Sequence, residues 1–388
     1  MKKICVVTST RADYGILRPL ISSLDKIKSI DLRIVVTGMH LCDEHGNTCK
    51  EIENDGFSVH KKIEIQLSSD SRSAMTKSMG MVLISFADYF TEHTPDLLIL
   101  LGDRYEIMAV ACAAMNQNIP IAHLHGGETT EGAVDEFFRH SITKMSSLHF
   151  TSCEVYRKRV IQLGEQPDSV FNVGALGVEN IMKTPLLSLE GLSESINFTI
   201  ESGRYCVVTF HPVTLESNAE EQLRELISAI DNFPDMCYII TGANSDAEGR
   251  LINKLWKEYA DNHKNCLFVN SLGMIRYLSA LKYCAAMIGN SSSGILEAPA
   301  VKIPTIDIGN RQKGRIRADS VIHCEPRRAD IIKAMEKAFS SECREICKTT
   351  VNPYGDGNTS ELIVKIITDK LESGISMKKK FYDIEFEV

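Results

Sequence analysis

The chain has 388 residues, of which 44% are hydrophobic and 24% charged, a composition typical of a folded globular protein with about two domains. Its formal net charge is −8, whereas nucleic-acid-binding proteins carry a basic excess, so we expect no nucleic-acid partner. No apolar run is long enough to span a membrane. The 12 cysteines are scattered without CxxC spacing, which indicates free thiols in the cytoplasm rather than a disulfide or zinc framework.

Short apolar, β-branched runs alternate with helix-like segments along the whole chain. In the first half we predict strands at 2–10, 32–39, 95–103, 119–127, 148–152 and 170–175. In the second half we predict strands at 204–212, 236–244, 266–272, 285–292 and 303–310. Because their hydrophobicity is continuous rather than alternating, both faces of each sheet must be covered, which favours parallel sheets. The sequence therefore predicts two doubly wound α/β domains.

A Ser- and Glu-rich stretch between the two sets of strands predicts the domain boundary. We predict a first Rossmann-like domain at 1–177, a linker region at 178–203 and a second Rossmann-like domain at 204–365. We expect the C-terminal stretch 366–388 to pack back on the first domain. Ligands of such sheets collect at the carboxyl ends of the strands. Since unusual residues follow strands in both halves, we expect the active site in a cleft between the domains.

Two polar motifs follow strands early in the chain. In TSTRADYG, Arg11 and Gly15 lie at a strand-to-helix turn that could present a cation and backbone donors to a phosphate. The alternative is a surface arginine at a turn, and the motif lacks the GxGxxG pattern of dinucleotide sites. In LLGDRYE, Asp103 and Arg104 come directly after an apolar strand. The alternative for Asp103 is a helix N-cap.

A third motif, HLHGGETTEGAVDEFFRHSITK, concentrates carboxylates and imidazoles after a strand and a Gly-Gly turn. Glu128 and Asp135 belong to it. Carboxylates near one another in a cleft suit proton removal from carbon and departure of a leaving group. A metal site of His123, His125 and Glu128 is the alternative, although no cysteine ligand accompanies it.

Two further motifs follow strands of the second half. His211 precedes a proline in VVTFHPVT, either as a spacer before a helix or as a group aimed into the cleft. In MIGNSSSGILE, Ser291 and Ser292 open a helix whose N–H groups could hold an anion, and Glu297 could accept ribose hydroxyls. Arg311 follows the next strand and could close on a diphosphate. A serine nucleophile is disfavoured because GNSSSG does not fit G-x-S-x-G.

Taken together, the runs GDRYE, HGGE…DE..RHSITK, HP.T and GNSS.G..E…IGNRQ.GR resemble the hydrolysing UDP-N-acetylglucosamine 2-epimerases of bacterial sialic acid synthesis. The resemblance extends from TSTRADYG to the C-terminal FYDI. It implies two Rossmann-like domains in a glycosyltransferase-B-like arrangement. It also implies conversion of UDP-N-acetylglucosamine and water to N-acetylmannosamine and UDP, without a metal or redox cofactor. The expected assembly is a homodimer or homotetramer, and the expected pathway is capsule polysaccharide synthesis.

The same resemblance assigns roles to residues. It implies an anti elimination of UDP through 2-acetamidoglucal, followed by hydration, with Asp103, Glu128 and Asp135 as the acid/base carboxylates. His211 would stabilise the departing phosphate. The implied UDP ligands are Arg11, Gly15, Arg104, Asn244, Ser291, Ser292, Glu297 and Arg311.

Four alternatives stay open at this point. Some relatives of this kind act on UDP-2,4-diacetamido-2,4,6-trideoxyglucose, on the legionaminic acid route. A UDP-sugar glycosyltransferase could use the same nucleotide site but would have little use for a carboxylate cluster beside the sugar. A non-hydrolysing epimerase would retain UDP on its product. A non-catalytic nucleotide-binding module would need no carboxylates at Asp103, Glu128 and Asp135.

Overall fold

A computed structural model describes residues 1–42, 47–65, 72–129, 134–212, 218–243 and 247–385. These residues divide into two compact units. The first comprises 1–128, 134–179 and 357–385, and the second comprises Thr129 and 180–356. No helix in the described ranges combines the length and the apolar character that crossing a membrane requires.

The first unit is built on a seven-stranded sheet in the order β3-β2-β1-β4-β5-β6-β7, and all neighbouring strands are parallel. Its strands are β1 Lys2–Thr8, β2 Ile30–Thr37, β3 Val59–Ile63, β4 Leu97–Leu101, β5 Ile121–Leu124, β6 Leu148–Thr151 and β7 Val170–Asn172. Its helices are α1 Arg11–Asp25, α2 Cys49–Asn54, α3 Arg72–Glu92, α4 Tyr105–Asn116, α5 Asp135–Met145, α6 Glu154–Gln162, the start of α7 Leu176–Lys183, and α15 Thr359–Ser373.

Both faces of this sheet are buried under helices. Ile4 and Val6 of β1 pack with Leu17 of α1, whereas the alternate residue Val7 packs on the other face with Phe86 of α3. Fully burying one such aliphatic or aromatic side chain contributes about 1.5–3 kcal/mol. A strand buried on both faces is continuously hydrophobic, so the sequence pattern and the fold agree.

The second unit repeats the same design with six parallel strands in the order β10-β9-β8-β11-β12-β13. Its strands are β8 Tyr205–Thr209, β9 Cys237–Thr241, β10 Cys266–Val269, β11 Ala286–Gly289, β12 Thr305–Ile308 and β13 Val321–Cys324. Its helices are α8 Leu189–Ile196, α9 Ala219–Ile230, α10 Ala247–Asn262, α11 Met274–Tyr283, α12 Ser293–Leu296, α13 Arg328–Phe339 and α14 Ser341–Thr349. The predicted α/β class, with a doubly wound parallel sheet in each half, is confirmed.

The strand prediction missed β3 and β13. Both lie at an edge of their sheet. An edge strand has one unpaired side and needs less apolar cover. Only Ile63 of β3 and Cys324 of β13 are buried, so neither strand shows the continuous apolar run on which the prediction depended.

The predicted linker at 178–203 is wrong, because much of it is folded structure. It contains α8, and Leu192 and Ile200 are buried in a core of the second unit together with Tyr205 of β8. Leu189, Leu192 and Ile196 recur at helical spacing in the sequence. The exposed serines and glutamates between them concealed this amphipathic pattern.

The predicted end of the second domain at residue 365 is also wrong, because the chain returns to the first unit at Gly357. Helix α15 buries Ile363, Ile367 and Leu371 in the same core as Leu17. The predicted border between 365 and 366 therefore falls inside a single helix. Nothing in the local pattern of an amphipathic helix states which sheet it covers, so the sequence prediction could not place it.

Candidate active site

In the first unit, polar side chains gather where β1, β4 and β5 end. Residues 9–13 follow β1, Asp103 and Arg104 follow β4, and His125 to Glu128 follow β5. The sheet order changes direction between β1 and β4, which is the topological switch point where ligands bind in such sheets.

The turn after β5 requires glycine and holds a histidine in an unusual backbone conformation. A Cβ on Gly127, whose φ is +77°, would lie 2.5 Å from the carbonyl oxygen of Tyr156. His125 has a φ of 64°, in the left-handed region that non-glycine residues rarely occupy. Such strain is concentrated at functional sites. The turn directs the chain so that Glu128 is buried beyond the carboxyl end of β5.

The Arg139 side chain, only 3% exposed, joins the segments that follow β4 and β5. It pairs with the carboxylates of Asp103 and of Glu136, one helical turn away on α5, and it donates to the carbonyl oxygen of Glu128 at 2.9 Å. The N-cap of α4 is Arg104, so the alternative of Asp103 as a helix cap does not hold.

Glu128 is 6% exposed and is held by hydrogen bonds. The hydroxyl of Ser152, which follows β6, donates to its Oε1 at 2.7 Å, and His125 Nδ1 lies 3.1 Å from the same oxygen. A buried carboxylate next to a hydroxyl and an imidazole is suited to proton transfer.

Asp135 begins α5, and its environment favours the protonated form. Burial raises the pKa of Asp135, and the negative charge of Asp103 raises it further, whereas Arg104 and Arg139 lower it. Two neighbouring carboxylates whose ionisation opposes one another can serve as an acid and a base at the same pH.

The sequence analysis missed three charged residues of this site: Asp13, Glu106 and Arg139. The fully buried Glu106 accepts from Arg104 Nη2 at 3.2 Å. Burial raises the pKa of Asp13, while the charge of Arg104 and a 2.9 Å hydrogen bond from Ser9 lower it. All three lie within the quoted motifs, but a charged residue on a helix is usually solvated, so only the tertiary structure distinguishes them.

Arg11 and Gly15 both lie on α1. The Arg11 side chain, 43% exposed, pairs with Glu51 Oε1 at 3.0 Å. A Cβ on Gly15 would meet no atom within 4 Å, so the fold of the chain by itself does not require glycine there.

His123 is buried in β5 with both ring nitrogens in hydrogen-bond contact. Its Nδ1 lies 3.1 Å from Thr143 Oγ1 and its Nε2 lies 2.8 Å from the carbonyl oxygen of Gly102. These contacts occupy both positions at which an imidazole binds a metal, so the alternative metal site that included His123 is wrong. In the part of the chain that the structure describes, no group of three or more His, Cys, Asp or Glu is placed to hold a metal ion.

In the second unit, Asn290 connects the residues that follow β8, β11 and β12. Its side chain accepts from the His211 backbone N–H at 2.7 Å and donates to the His211 carbonyl oxygen at 2.8 Å. Its own carbonyl oxygen accepts from Arg311 at 3.0 Å and from Gln312 at 2.8 Å. The chain reaches this position through Gly289, where a Cβ would lie 2.0 Å from the Thr209 carbonyl oxygen.

The serine segment after β11 differs from the expected helix start. The helix α12 is a single turn, Ser293–Leu296, followed by a 3-10 turn at Ala298–Val301. Its dipole is correspondingly small, so an anion here would depend on backbone N–H groups and the hydroxyls of Ser291 and Ser292. Glu297 follows this turn directly and is half-buried.

His211 lies beside Arg311, and its ring is uncharged. Burial lowers the pKa of His211 to about 3, and the positive charge of Arg311 contributes. Its Nδ1 is buried and has no hydrogen-bond partner among the described residues. Asn244, the remaining predicted site residue, lies outside the described residues.

In the first unit, carboxylates follow the carboxyl ends of the strands; in the second unit, serines, a neutral imidazole and an arginine do so. Ligands of doubly wound folds bind at these ends, and such side chains suit an enzyme that acts on a nucleotide sugar. Residues 22–368 match the family model described as UDP-N-acetylglucosamine 2-epimerase. The chain belongs to this family.

Named relatives extend over almost the whole chain. The Escherichia coli "Polysialic acid biosynthesis protein P7" is 42% identical over 99% of this chain and 98% of its own. The Campylobacter jejuni "GDP/UDP-N,N'-diacetylbacillosamine 2-epimerase (hydrolyzing)" is 40% identical over 99% of each chain. The Methanocaldococcus jannaschii UDP-GlcNAc 2-epimerase, solved with UDP-GlcNAc and UDP, shares the fold with a TM-score of 0.78 at 20% identity, covering 95% of this chain and 99% of that one.

The buried histidines predict a loss of stability in mild acid. His40 and His123 are fully buried, and burial lowers their pKa values to about 4 and about 3. Below about pH 6.5 the unfolded chain takes up protons at these histidines and the folded chain does not. Their contribution to the free energy of unfolding is therefore fully present above that pH and is lost as the pH decreases. Each histidine adds a slope of about 1.4 kcal/mol per pH unit.

Urea unfolding between pH 7 and pH 4.5 measures this slope. His123→Gln should reduce the slope by the contribution of one histidine, about 1.4 kcal/mol per pH unit. An equal free energy of unfolding at both ends of that range in the wild type would contradict the prediction.

Proposed function

We propose that the protein is a hydrolysing 2-epimerase that converts UDP-N-acetylglucosamine and water to N-acetylmannosamine and UDP. The observation that carries the proposal is the group of carboxylates that follow the strands of the first sheet: Asp103, Glu128 and Asp135. The buried Arg139 pairs with the Asp103 carboxylate, donates to the Glu128 carbonyl oxygen and lowers the pKa of Asp135 by its charge. Family membership and the relatives' names support this reaction class.

The reaction proceeds by elimination and then hydration. One carboxylate removes the proton from sugar carbon 2, the bond from carbon 1 to the phosphate oxygen breaks, and its electron pair leaves with UDP. The product of this step is 2-acetamidoglucal. Water then adds its oxygen to carbon 1 and gives up a proton to a carboxylate. A different carboxylate, protonated from solvent, delivers a proton to the opposite face of carbon 2. Asp135, whose pKa is raised, is suited to be the protonated carboxylate of the second step.

UDP is held mainly by the second unit. Ser291, Ser292 and Arg311 contact the diphosphate, and Glu297 accepts the ribose hydroxyls. Arg11, Gly15, Arg104 and Asn244 complete the nucleotide site. His211, neutral beside Arg311, donates a hydrogen bond to the departing phosphate, where a preorganised donor lowers the barrier.

A second candidate substrate is UDP-2,4-diacetamido-2,4,6-trideoxyglucose. The name of the Campylobacter jejuni relative favours it, while that of the Escherichia coli relative favours the sialic acid route. We further propose a cytoplasmic homo-oligomer, dimer or tetramer. All 12 cysteines are free thiols, as expected in a reducing compartment.

The reaction is tested by incubating the purified protein with each UDP-sugar in deuterium oxide, without acceptor sugar, NAD or added metal. We expect release of UDP and a free 2-epimerised sugar that carries deuterium at carbon 2, because elimination and hydration exchange that hydrogen. Faster turnover of the diacetamido sugar would identify the second substrate. Retained hydrogen at carbon 2, or a product still linked to UDP, would contradict the mechanism.

The carboxylates are tested by Asp103→Asn, Glu128→Gln and Asp135→Asn, which keep the side-chain shape but remove the ability to take up and release a proton at neutral pH. We expect kcat to fall at least ~10²-fold in each variant, the usual contribution of a positioned proton-transfer group. The affinity for UDP should change much less.

Glu154→Gln is the matched control for the carboxylates, because its side chain is 51% exposed on α6 of the same unit. Full activity in all three site variants would remove the carboxylates from the mechanism. Hydration of supplied 2-acetamidoglucal by a variant that no longer releases UDP would assign its carboxylate to the elimination.

The nucleotide site is tested by isothermal titration of UDP. Loss of a buried charged donor costs about 2–5 kcal/mol, so Arg311→Ala should raise Kd at least roughly 30-fold. Ser292→Ala removes a neutral donor and should raise Kd several-fold. Arg224→Ala, in a side chain 61% exposed on α9, is the control. Unchanged affinity in both site variants would show that UDP binds elsewhere.

A further inference from the structure

After α15 the described chain continues in the first unit without regular secondary structure. Residues 374–385, here called the tail, follow α15 and form neither helix nor strand. Among its attachments to the first unit are the side chains of Lys379 and Phe381 and the N–H of Tyr382. The proposed reaction uses none of them.

Lys379 binds the carboxyl end of α5. Its Nζ donates to the carbonyl oxygens of Lys144 at 2.9 Å and Ser146 at 2.6 Å. The last carbonyl groups of a helix have no partner within the helix, and a cation there also complements the helix dipole. The tail thus supplies a cap that α5 cannot supply itself.

The same Nζ lies 2.7 Å from Oε2 of Glu165, a carboxylate that is 3% exposed. Glu165 also accepts from Lys144 of α5 at 2.6 Å and contacts His149 of β6 at 3.0 Å. Burial opposes ionisation of this carboxyl, but its hydrogen bonds with His149, Lys144 and Lys379 prevail and lower its pKa to about 2. Glu165 is therefore a charged anchor shared by α5 and the tail.

Phe381 and Tyr382 hold this part of the tail in register. The N–H of Tyr382 donates to the Gly164 carbonyl oxygen at 2.9 Å, next to Glu165 in the chain. A Cβ on Gly164, whose φ is +91°, would lie 2.2 Å from Cε2 of Phe381, so only glycine leaves room for the ring. Lys144 Nζ lies 5.2 Å from the centre of the same ring.

The opposite end of α5 carries Asp135, and Arg139 lies one turn further along. Three contacts hold α5 near the site: Arg139 pairs with Asp103 and donates to the Glu128 carbonyl oxygen, and Thr143 Oγ1 lies 3.1 Å from His123 Nδ1. The contacts with Glu165 and Lys379 hold the far end. A rigid helix held at both ends fixes the side chains along it.

We propose that Lys379 is a positioning residue for the reaction: by holding the carboxyl end of α5, it fixes Asp135 and the Arg139–Asp103 pair in their working geometry. This inference rests on the proposed function, because it assigns the tail a part in the same carboxylate site. A displacement of about 1 Å at such a site lowers turnover by up to ~10²-fold.

The test compares Lys379→Met with Lys378→Met, a substitution of the same residue type at the exposed neighbouring position of the tail. We expect Lys379→Met to lower kcat about ten-fold, with KM and the Kd for UDP within two-fold of the wild type. Lys379→Arg, which retains a charged donor, should recover most of the turnover. Lys378→Met should leave all of these values unchanged.

A merely structural role of the tail is separated by the pH–rate profile. The folded fraction is measured at each pH and kcat is expressed per folded enzyme, so loss of folded protein leaves the corrected profile unchanged. Movement of α5 changes the distances of Asp135 from Asp103, Arg104 and Arg139 and shifts the limb of the profile that Asp135 governs. A profile of unchanged shape in Lys379→Met would overturn the inference, as would kcat within two-fold of the wild type.

If Lys379→Met does not fold, Phe381→Ala replaces it in the test, because that side chain is 64% exposed and loosens the same attachment. It should show the same selective loss of kcat and the same shifted limb, and wild-type behaviour would overturn the inference. The wild type in the same assay separates the two proposals. If it turns over neither UDP-sugar, the proposed function fails and the inference fails with it, whereas an active wild type with an equally active Lys379→Met contradicts the inference alone.

Discussion

Burial of the Arg139 guanidinium is the constraint on which the candidate site depends. An ion that is only 3% exposed is stable only if its charge is compensated and its donors are satisfied. Asp103, Glu136 and the Glu128 carbonyl oxygen meet that requirement from the end of β4, from α5 and from the turn after β5. One arginine therefore makes the positions of three chain segments interdependent, and these segments carry Asp103, Glu128 and Asp135, the carboxylates of the proposed proton transfers.

The second unit achieves the same organisation with a neutral group. Asn290 bonds both the N–H and the carbonyl group of His211 and accepts from Arg311 and Gln312 through its own carbonyl oxygen. The Asn290 side chain carries no charge, so these hydrogen bonds hold the segments after β8, β11 and β12 together without an ion pair at the amide. The uncharged His211 fits this arrangement, because a protonated imidazole would repel the guanidinium beside it.

The two halves of the chain share a strand order but depend on different long-range connections. The first unit is completed by α15 and the tail, which follow its last strand by almost 190 residues of sequence, roughly half the chain. Ile363 packs in the core with Leu17, and Lys379 reaches Glu165. Any statement about the stability of the first unit must therefore include the carboxyl-terminal segment.

The sequence by itself determined the α/β class, eleven of the thirteen strands formed by the described residues, and the motifs that follow them. The reason is that doubly covered strands leave continuous apolar runs and that parallel strands have their carboxyl ends on one side of the sheet. It did not reveal β3 and β13, whose edge positions require little apolar cover, or α8 as folded structure. The partners of Asp103, the burial of Arg139 and the sheet that α15 covers were decided by tertiary structure alone. These properties depend on contacts between residues far apart in the chain, which local residue patterns do not encode.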